Sequence, residues 1–181
     1  TDYVYPRTTN KILKQYLIDK GIPESDIFVN YTPFGHSDWS KIVSDVVALG
    51  ADGKKVGVIS TINGDANIGF YKELAAAGVN ADDIPVVAFS VGEEELSGLD
   101  TKNLVGHLAA WNYFQSAESE LNSAFIKQWK SKMGKNRVTN DPMEAHVIGF
   151  EMYVKAVEKA GTTDVDAVRK AMYGIKVSNL T

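Results

Sequence analysis

Cysteine is absent from the 181 residues, which removes disulfide frameworks, thiolate nucleophiles and zinc-thiolate sites together. The compartment stays open on that ground, because cysteine-free chains suit oxidising and reducing environments alike. Long apolar runs are missing too. No stretch approaches the roughly 18 residues that span a bilayer, and residues 1–20 hold no basic segment followed by an apolar one. The chain is therefore expected to be soluble, without membrane insertion, and processed or truncated. Charge of one sign is scarce: Lys+Arg 19 stands against Asp+Glu 23, with no like-charge run longer than Glu93-Glu94-Glu95. Nothing in that balance draws the chain to nucleic-acid phosphates or anionic lipid, so no nucleic acid is expected as a partner.

The usual carriers of chemistry are also lacking. His36, His107 and His146 lie far apart, with no acidic or histidine partner at metal-ligand spacing. There is no G-x-S-x-G elbow, no G-x-x-x-x-G-K-[ST] loop and no G-x-G-x-x-G after a strand. Covalent hydrolysis and nucleotide chemistry lose their carriers, no metal or cofactor is expected, and the chain does not read as an enzyme.

What is present is a core-forming chain, 44% hydrophobic, enough for one ordinary domain or one lobe of a two-lobed protein plus an extension. Its apolar pattern alternates between a helical period and short continuous runs, the mark of helices alternating with buried parallel strands. The spacing predicts a helix over 9–20, with Ile12, Leu13, Tyr16 and Leu17 on one face and Gly21-Ile22-Pro23 as its stop. Three strand-loop-helix units follow. The first has a strand at 27–31, a loop at 32–37 and a helix capped by Asp38; the second a strand at 56–60, a loop at 61–64 and a helix capped by Asp65. The third has a strand at 85–89, a turn at 90–92 and an acidic helix start at 93–97. A further strand or crossing segment is expected at 104–111, then helices near 118–133, 142–160 and 164–173, with Asp141-Pro142 as a cap and first-position proline. The expected fold is α/β, a three-layer parallel sheet with helices on both faces. Ligands of such sheets sit beyond the strand C-termini, so the loops at 32–38, 61–65 and 90–93 should share one rim.

Within that rim, Asp65 of Asn63-Gly64-Asp65 either caps its helix or turns its carboxylate to a ligand N–H, while the glycine admits a close backbone approach. Glu93, Glu94 and Glu95 are ordinary first-turn acids or supply one further acceptor. Tyr3 and Tyr5 precede Pro6, where an extended backbone is favoured, and so point to opposite sides with one of them available to stack on a small ligand. Trp111, Tyr113 and Phe114 read as core or crossing-segment aromatics rather than a ligand box.

The run Asp2-Tyr3-Val4-Tyr5-Pro6-Arg7-Thr8-Thr9-Asn10 resembles a signature of the type I periplasmic binding proteins, in the urea and short-chain amide branch of the branched-chain amino-acid-binding family. The resemblance continues through Tyr31-Thr32-Pro33-Phe34-Gly35-His36-Ser37-Asp38, Asn63-Gly64-Asp65-Ala66-Asn67, Glu93-Glu94-Glu95-Leu96, Trp111-Asn112-Tyr113-Phe114 and Asp141-Pro142-Met143-Glu144-Ala145. It implies a hinge-closing receptor of which residues 1–108 are the second lobe and 109–181 the crossing segment and returning helical part of the first. It also implies Tyr3, Tyr5, Thr61, Asn63, Asp65 and Glu93 as ligand-binding residues, urea or a short-chain amide as ligand, an ABC permease as partner and a periplasmic location. The alternative within the same resemblance is a cytoplasmic amide-sensing regulator.

Compared with the family fold, the chain starts directly at the helix that a first strand would feed, so its sheet is expected to lack that strand and to expose an edge. Such an edge is expected to pair with something, a second copy of the chain being one candidate. Light scattering over a concentration series should show the mean mass rising with concentration; a constant monomer mass counts against the edge pairing.

Overall fold

Proline usually ends a helix, yet the first helix, α1 (Val4–Asp19), contains Pro6. Pro6 stands in the first turn, where its missing N–H has no intrahelical acceptor to lose and its fixed φ suits the helix. The helix therefore starts before the expected 9–20 segment. Tyr3 is extended, with φ −156° and ψ 161°, but Tyr5 is already helical. The expectation of an extended Tyr3–Tyr5 loop is corrected accordingly, and the two rings do not alternate as they would on a strand. The helix stops where the sequence indicated, with the Ile22 N–H donating to Leu17 O at 3.0 Å.

The computed structural model describes residues 1–51, 53–178 and 180. They form two compact units, Thr1–Trp111 and Asn112–Thr181. In the first unit α1 is followed by a 3₁₀ turn, Glu24–Asp26, and α2 (Ser40–Leu49). Then come β1 (Val58–Ser60), α3 (Ala66–Ala76), β2 (Val86–Ala88), α4 (Glu93–Leu96), a second 3₁₀ turn at Thr101–Leu104 and β3 (Leu108–Ala109). The three strands make a parallel sheet in the order β1-β2-β3, with Val58, Ile59 and Ser60 opposite Val86, Val87 and Ala88. Val87 and Ala88 in turn face Leu108 and Ala109. The α/β class with a parallel sheet is the one the sequence indicated.

The run 27–31 is not a strand. Its β-favouring residues have no neighbouring ladder, and among the described residues no strand precedes β1. β propensity measures fit to a pleated, half-buried surface, and Phe28 is instead 69% exposed. Strand formation thus depends on a partner that composition alone does not supply.

The core of the first unit gathers Trp39, which precedes α2, with Val43 of α2 and Phe70, Tyr71 and Leu74 of α3 around Val86 and Ala88 of the central strand. Gly69 eases this packing: a Cβ there would lie 3.0 Å from the Trp39 ring, so a larger residue would press the indole back by a few tenths of an ångström. Rings then meet edge to face in sequence, His36 with Trp39 at 4.8 Å, Trp39 with Phe70 at 5.3 Å and Phe70 with Tyr71 at 5.4 Å, and the Tyr71 ring lies tilted 6.1 Å from His107. Burial pushes the Tyr71 phenol up to about 12.

The second unit holds α5 (Glu120–Met133), α6 (Asp141–Ala160) and α7 (Val165–Met172). Ser119, Asn140 and Asp164 cap them, each side chain accepting a first-turn N–H. The α6 cap is thus Asn140 rather than the expected Asp141. Asp141 is buried instead, and its Oδ2 accepts the N–H groups of Asn112 at 2.9 Å and Tyr113 at 3.0 Å. Tyr113 is a core residue: its hydroxyl joins Asn122 Oδ1 and Thr139 Oγ1, each at 2.7 Å, and Asn122 Nδ2 donates to the carbonyls of Gln115 and Ala117. Buried polar groups of this kind are stable because each finds a partner.

β3 is fixed beside β2 by an unusual acceptor. The Val86 N–H donates to His107 Nδ1 at 3.0 Å, a bond that requires an unprotonated Nδ1. Burial lowers the His107 pKa below its ordinary value, with the Tyr71 ring as its aromatic neighbour. The folded pKa lies below the unfolded one, so this contribution to stability is present above the ordinary histidine range and is lost as pH falls through the folded pKa. Guanidinium midpoints should therefore fall between about pH 7 and pH 5, above the range where carboxylates titrate. In His107→Asn, whose Oδ1 accepts without titrating, that part of the slope should vanish; equal slopes in the two proteins would remove the assignment.

Candidate functional site

The loops after β1 and β2 leave the C-terminal ends of their strands, and the first five residues tie them to the 32–38 segment. The Asp2 N–H donates to Thr32 O at 2.6 Å, bringing in the 32–38 loop. The Thr1 nitrogen lies 3.4 Å from Thr61 O, and Thr1 Oγ1 accepts the Asn63 N–H at 3.0 Å, which brings in the loop after β1. The Tyr5 hydroxyl donates to Phe89 O at 2.8 Å and accepts from Ser90 Oγ at 3.2 Å, which brings in the turn after β2. A buried amide completes the frame: Asn67 Nδ2 donates to Ile62 O at 2.9 Å, Gly64 O at 3.1 Å and Ser90 O at 3.2 Å.

The six residues singled out in the sequence divide by what they touch. Thr61 is buried and its hydroxyl donates to Asn10 Oδ1 at 3.0 Å, a link from β1 to α1. The Tyr5 hydroxyl is engaged by the turn after β2. Tyr3 is 47% exposed, and its ring stands edge-on to Phe34 at 5.3 Å, so the two offer an aromatic wall at the surface. Asn63 is half-buried, Asp65 exposed and Glu93 half-buried at the start of α4. The expected capping by Asp65 does not occur. Its backbone is already helical, at φ −59° and ψ −20°, whereas a capping residue needs an extended one. Its carboxylate is left at the surface at the head of α3, where the helix dipole favours negative charge. At α4 it is Glu95 that caps, accepting the Gly92 N–H at 2.9 Å.

Asn67 holds this frame together, and sequence reasoning assigned it no role of its own. Its signal is a polar residue fully buried on the face that also carries Phe70 and Tyr71, three and four positions on, where an apolar residue is the norm. Asp2 and Arg7 form a bidentate ion pair at 2.5 and 3.1 Å, and the guanidinium sits 4.8 Å from the Tyr31 ring centre. Hydrogen bonding to Arg7 holds the Asp2 carboxyl below the usual carboxylate range. A shallow recess lies beside the pair, lined by Asp2, Tyr3, Val4, Arg7, Thr8 and Lys11. Among the described residues no group of three or more histidine, aspartate or glutamate side chains is placed to hold a metal ion, and no helix is long and apolar enough to cross a membrane.

The arrangement is that of an open parallel α/β sheet with its polar loops gathered beyond the strand ends, the place where such sheets hold small ligands. The model of the family described as the periplasmic binding protein domain matches residues 1–181. The chain belongs to that family. The crystal structure of an amino acid ABC transporter substrate-binding protein from Pseudomonas fluorescens Pf-5 superposes with a TM-score of 0.79 at 20% identity, over 99% of this chain and 46% of that one. The chain thus spans about half the length of that relative and shares its fold. No curated protein sequence gives a match.

The Tyr5 hydroxyl links α1 to the turn after β2 through Phe89 O and Ser90 Oγ. Tyr5→Phe leaves Phe89 O without that donor and should cost about 1 kcal/mol in guanidinium unfolding. An unchanged midpoint would show that the hydroxyl is not a structural tie.

Proposed function

We propose that the chain is part of the solute receptor of an ABC importer, working outside the cytoplasm, and that its loop rim is one wall of a cleft for urea or a short-chain amide. The observation that carries the reading is the frame made by Thr1, Asp2, Tyr5 and Asn67, which holds the loops after β1 and β2 and the 32–38 loop together beyond the strand ends. Family membership supports a binding role, and the resemblance of the Asp2 to Asn10 motif supports the amide branch.

Urea is planar, with N–H donors on two sides and one carbonyl acceptor, so its site needs carboxylate or carbonyl acceptors, a donor and a flat wall. Asp65 and Glu93 supply carboxylates, the Asn63 carboxamide supplies both an acceptor and a donor, and Tyr3 with Phe34 supplies aromatic surface. Tyr5 and Thr61 act one step back, fixing the loops from which those groups project. Binding is reversible and involves no bond making; closure of a second wall over the ligand excludes water.

Calorimetric titration of urea, acetamide and leucine into the full-length gene product tests this directly. Urea or acetamide should bind, and Asp65→Ala should weaken that binding at least about tenfold, or about 1.4 kcal/mol. Binding of leucine alone, or of none of the three, would place the chain in another branch of the family.

A further inference from the structure

The sequence contains one Asn-Gly pair, Asn63-Gly64, and the structure holds it in an unusual way. On one side the Asn63 N–H is anchored to Thr1 Oγ1 at 3.0 Å. On the other the Gly64 carbonyl accepts from the Asn67 backbone N–H at 3.0 Å and from Asn67 Nδ2 at 3.1 Å. Between these anchors lie the Asn63 carboxamide and the Gly64 N–H, neither of which has a hydrogen-bond partner among the described residues. Gly64 is exposed, has φ +63° and has no atom within 4 Å of where a Cβ would stand. Glycine lets the peptide turn toward the preceding carboxamide without a Cβ clash.

We propose that Asn63 is a site of spontaneous deamidation and backbone isomerisation, a covalent modification that puts a new carboxylate on the loop after β1. The Gly64 nitrogen gives up its proton and bonds to Asn63 Cγ; the Cγ–Nδ2 bond breaks and ammonia leaves, taking up that proton. The product is a five-membered cyclic imide. Water then adds to one of the two imide carbonyls. Opening at Cγ gives aspartate, and opening at the backbone carbonyl gives isoaspartate, in which the main chain runs through the former side chain. Each route adds one negative charge to a formal net charge of −4, two residues from Asp65. The isoaspartate route also lengthens the main chain between the Thr1 and Asn67 anchors.

Other asparagines are placed differently. Asn67 and Asn122 are fully buried, with their amides donating to main-chain carbonyls. The Asn80 carboxamide donates to Asp83 and accepts the Asp82 and Asp83 N–H groups, and Asn140 caps α6. Asn30 and Asn136 precede tyrosine and arginine, whose side chains crowd the attacking nitrogen. This inference does not depend on the identity of the ligand.

The test is to hold the folded protein in mildly alkaline buffer for days and map its peptides by mass spectrometry, separating the aspartate and isoaspartate forms. Asn63 should convert at least about tenfold faster than Asn30 or Asn136, because only it is followed by glycine. Gly64→Ala should suppress the conversion. Since Gly64→Ala places a side chain at positive φ and can fail to fold, Asn63→Gln serves beside it: its longer arm closes the ring poorly, and the acidic species that accumulates on isoelectric focusing of the parent protein should disappear. An Asn63 that stays intact, or converts no faster than Asn30 and Asn136, or an acidic species that persists in Asn63→Gln, overturns the proposal.

Discussion

One buried carboxamide organises the loop rim of the first unit. Asn67 has no exposed surface, and its two Nδ2 protons are shared among three carbonyls, those of Ile62, Gly64 and Ser90. At least one of these bonds is bifurcated. Carbonyls at the ends of two different strands would otherwise be pulled from water without donors, at a cost of about 1–3 kcal/mol each. Although the buried Asn67 Oδ1 has no hydrogen-bond partner among the described residues, its Nδ2 group sets the spacing between the loop after β1 and the turn after β2. Its place in α3 is in turn held by Phe70 and Tyr71, packed against Trp39 through the gap left by Gly69. The polar frame of the rim thus stands on an aromatic core.

The alternation of helices and strands was legible in the sequence because its causes are local. Apolar periodicity and short β-favouring runs marked α2, α3, β1 and β2, with the predicted strands running a residue or two beyond the observed 58–60 and 86–88 at their ends. The failures have two causes: a distant partner, or a helix start that composition does not locate. The 27–31 run has the composition of a strand and no ladder to join. Tyr5 is helical because Pro6 falls in a first turn, which cannot be seen without knowing where the helix begins. Asp65 and Asp141 have the composition of caps, but at Asp65 the helical backbone starts too early, and at α6 Asn140 takes the cap while Asp141 turns inward to Asn112 and Tyr113.

Of the candidate site, sequence indicated the loops better than it indicated the atoms. It picked out the stretches around Asn63 and Glu93 because they stand between a strand and a helix, which is a topological argument. Which side chains would be spent on structure could not be read that way. Thr61 and Tyr5 are engaged by Asn10, Phe89 and Ser90, residues between 51 and 85 positions away. Asn67 was missed because a polar residue in an apolar stripe has no meaning until its acceptors are known.

The frame of the rim is written almost wholly in main-chain atoms. Thr32, Thr61, Ile62, Gly64, Phe89 and Ser90 contribute carbonyl oxygens, and Asp2 and Asn63 contribute amide nitrogens. Backbone groups are the same whatever residue carries them, so the geometry asks for particular side chains at few positions, chiefly Thr1, Tyr5 and Asn67. The side chains at 63 and 65 contribute no hydrogen bond to that frame among the described residues. A scaffold built this way can be retargeted from one small solute to another by a few substitutions, which leaves its architecture recognisable long after its sequence has diverged.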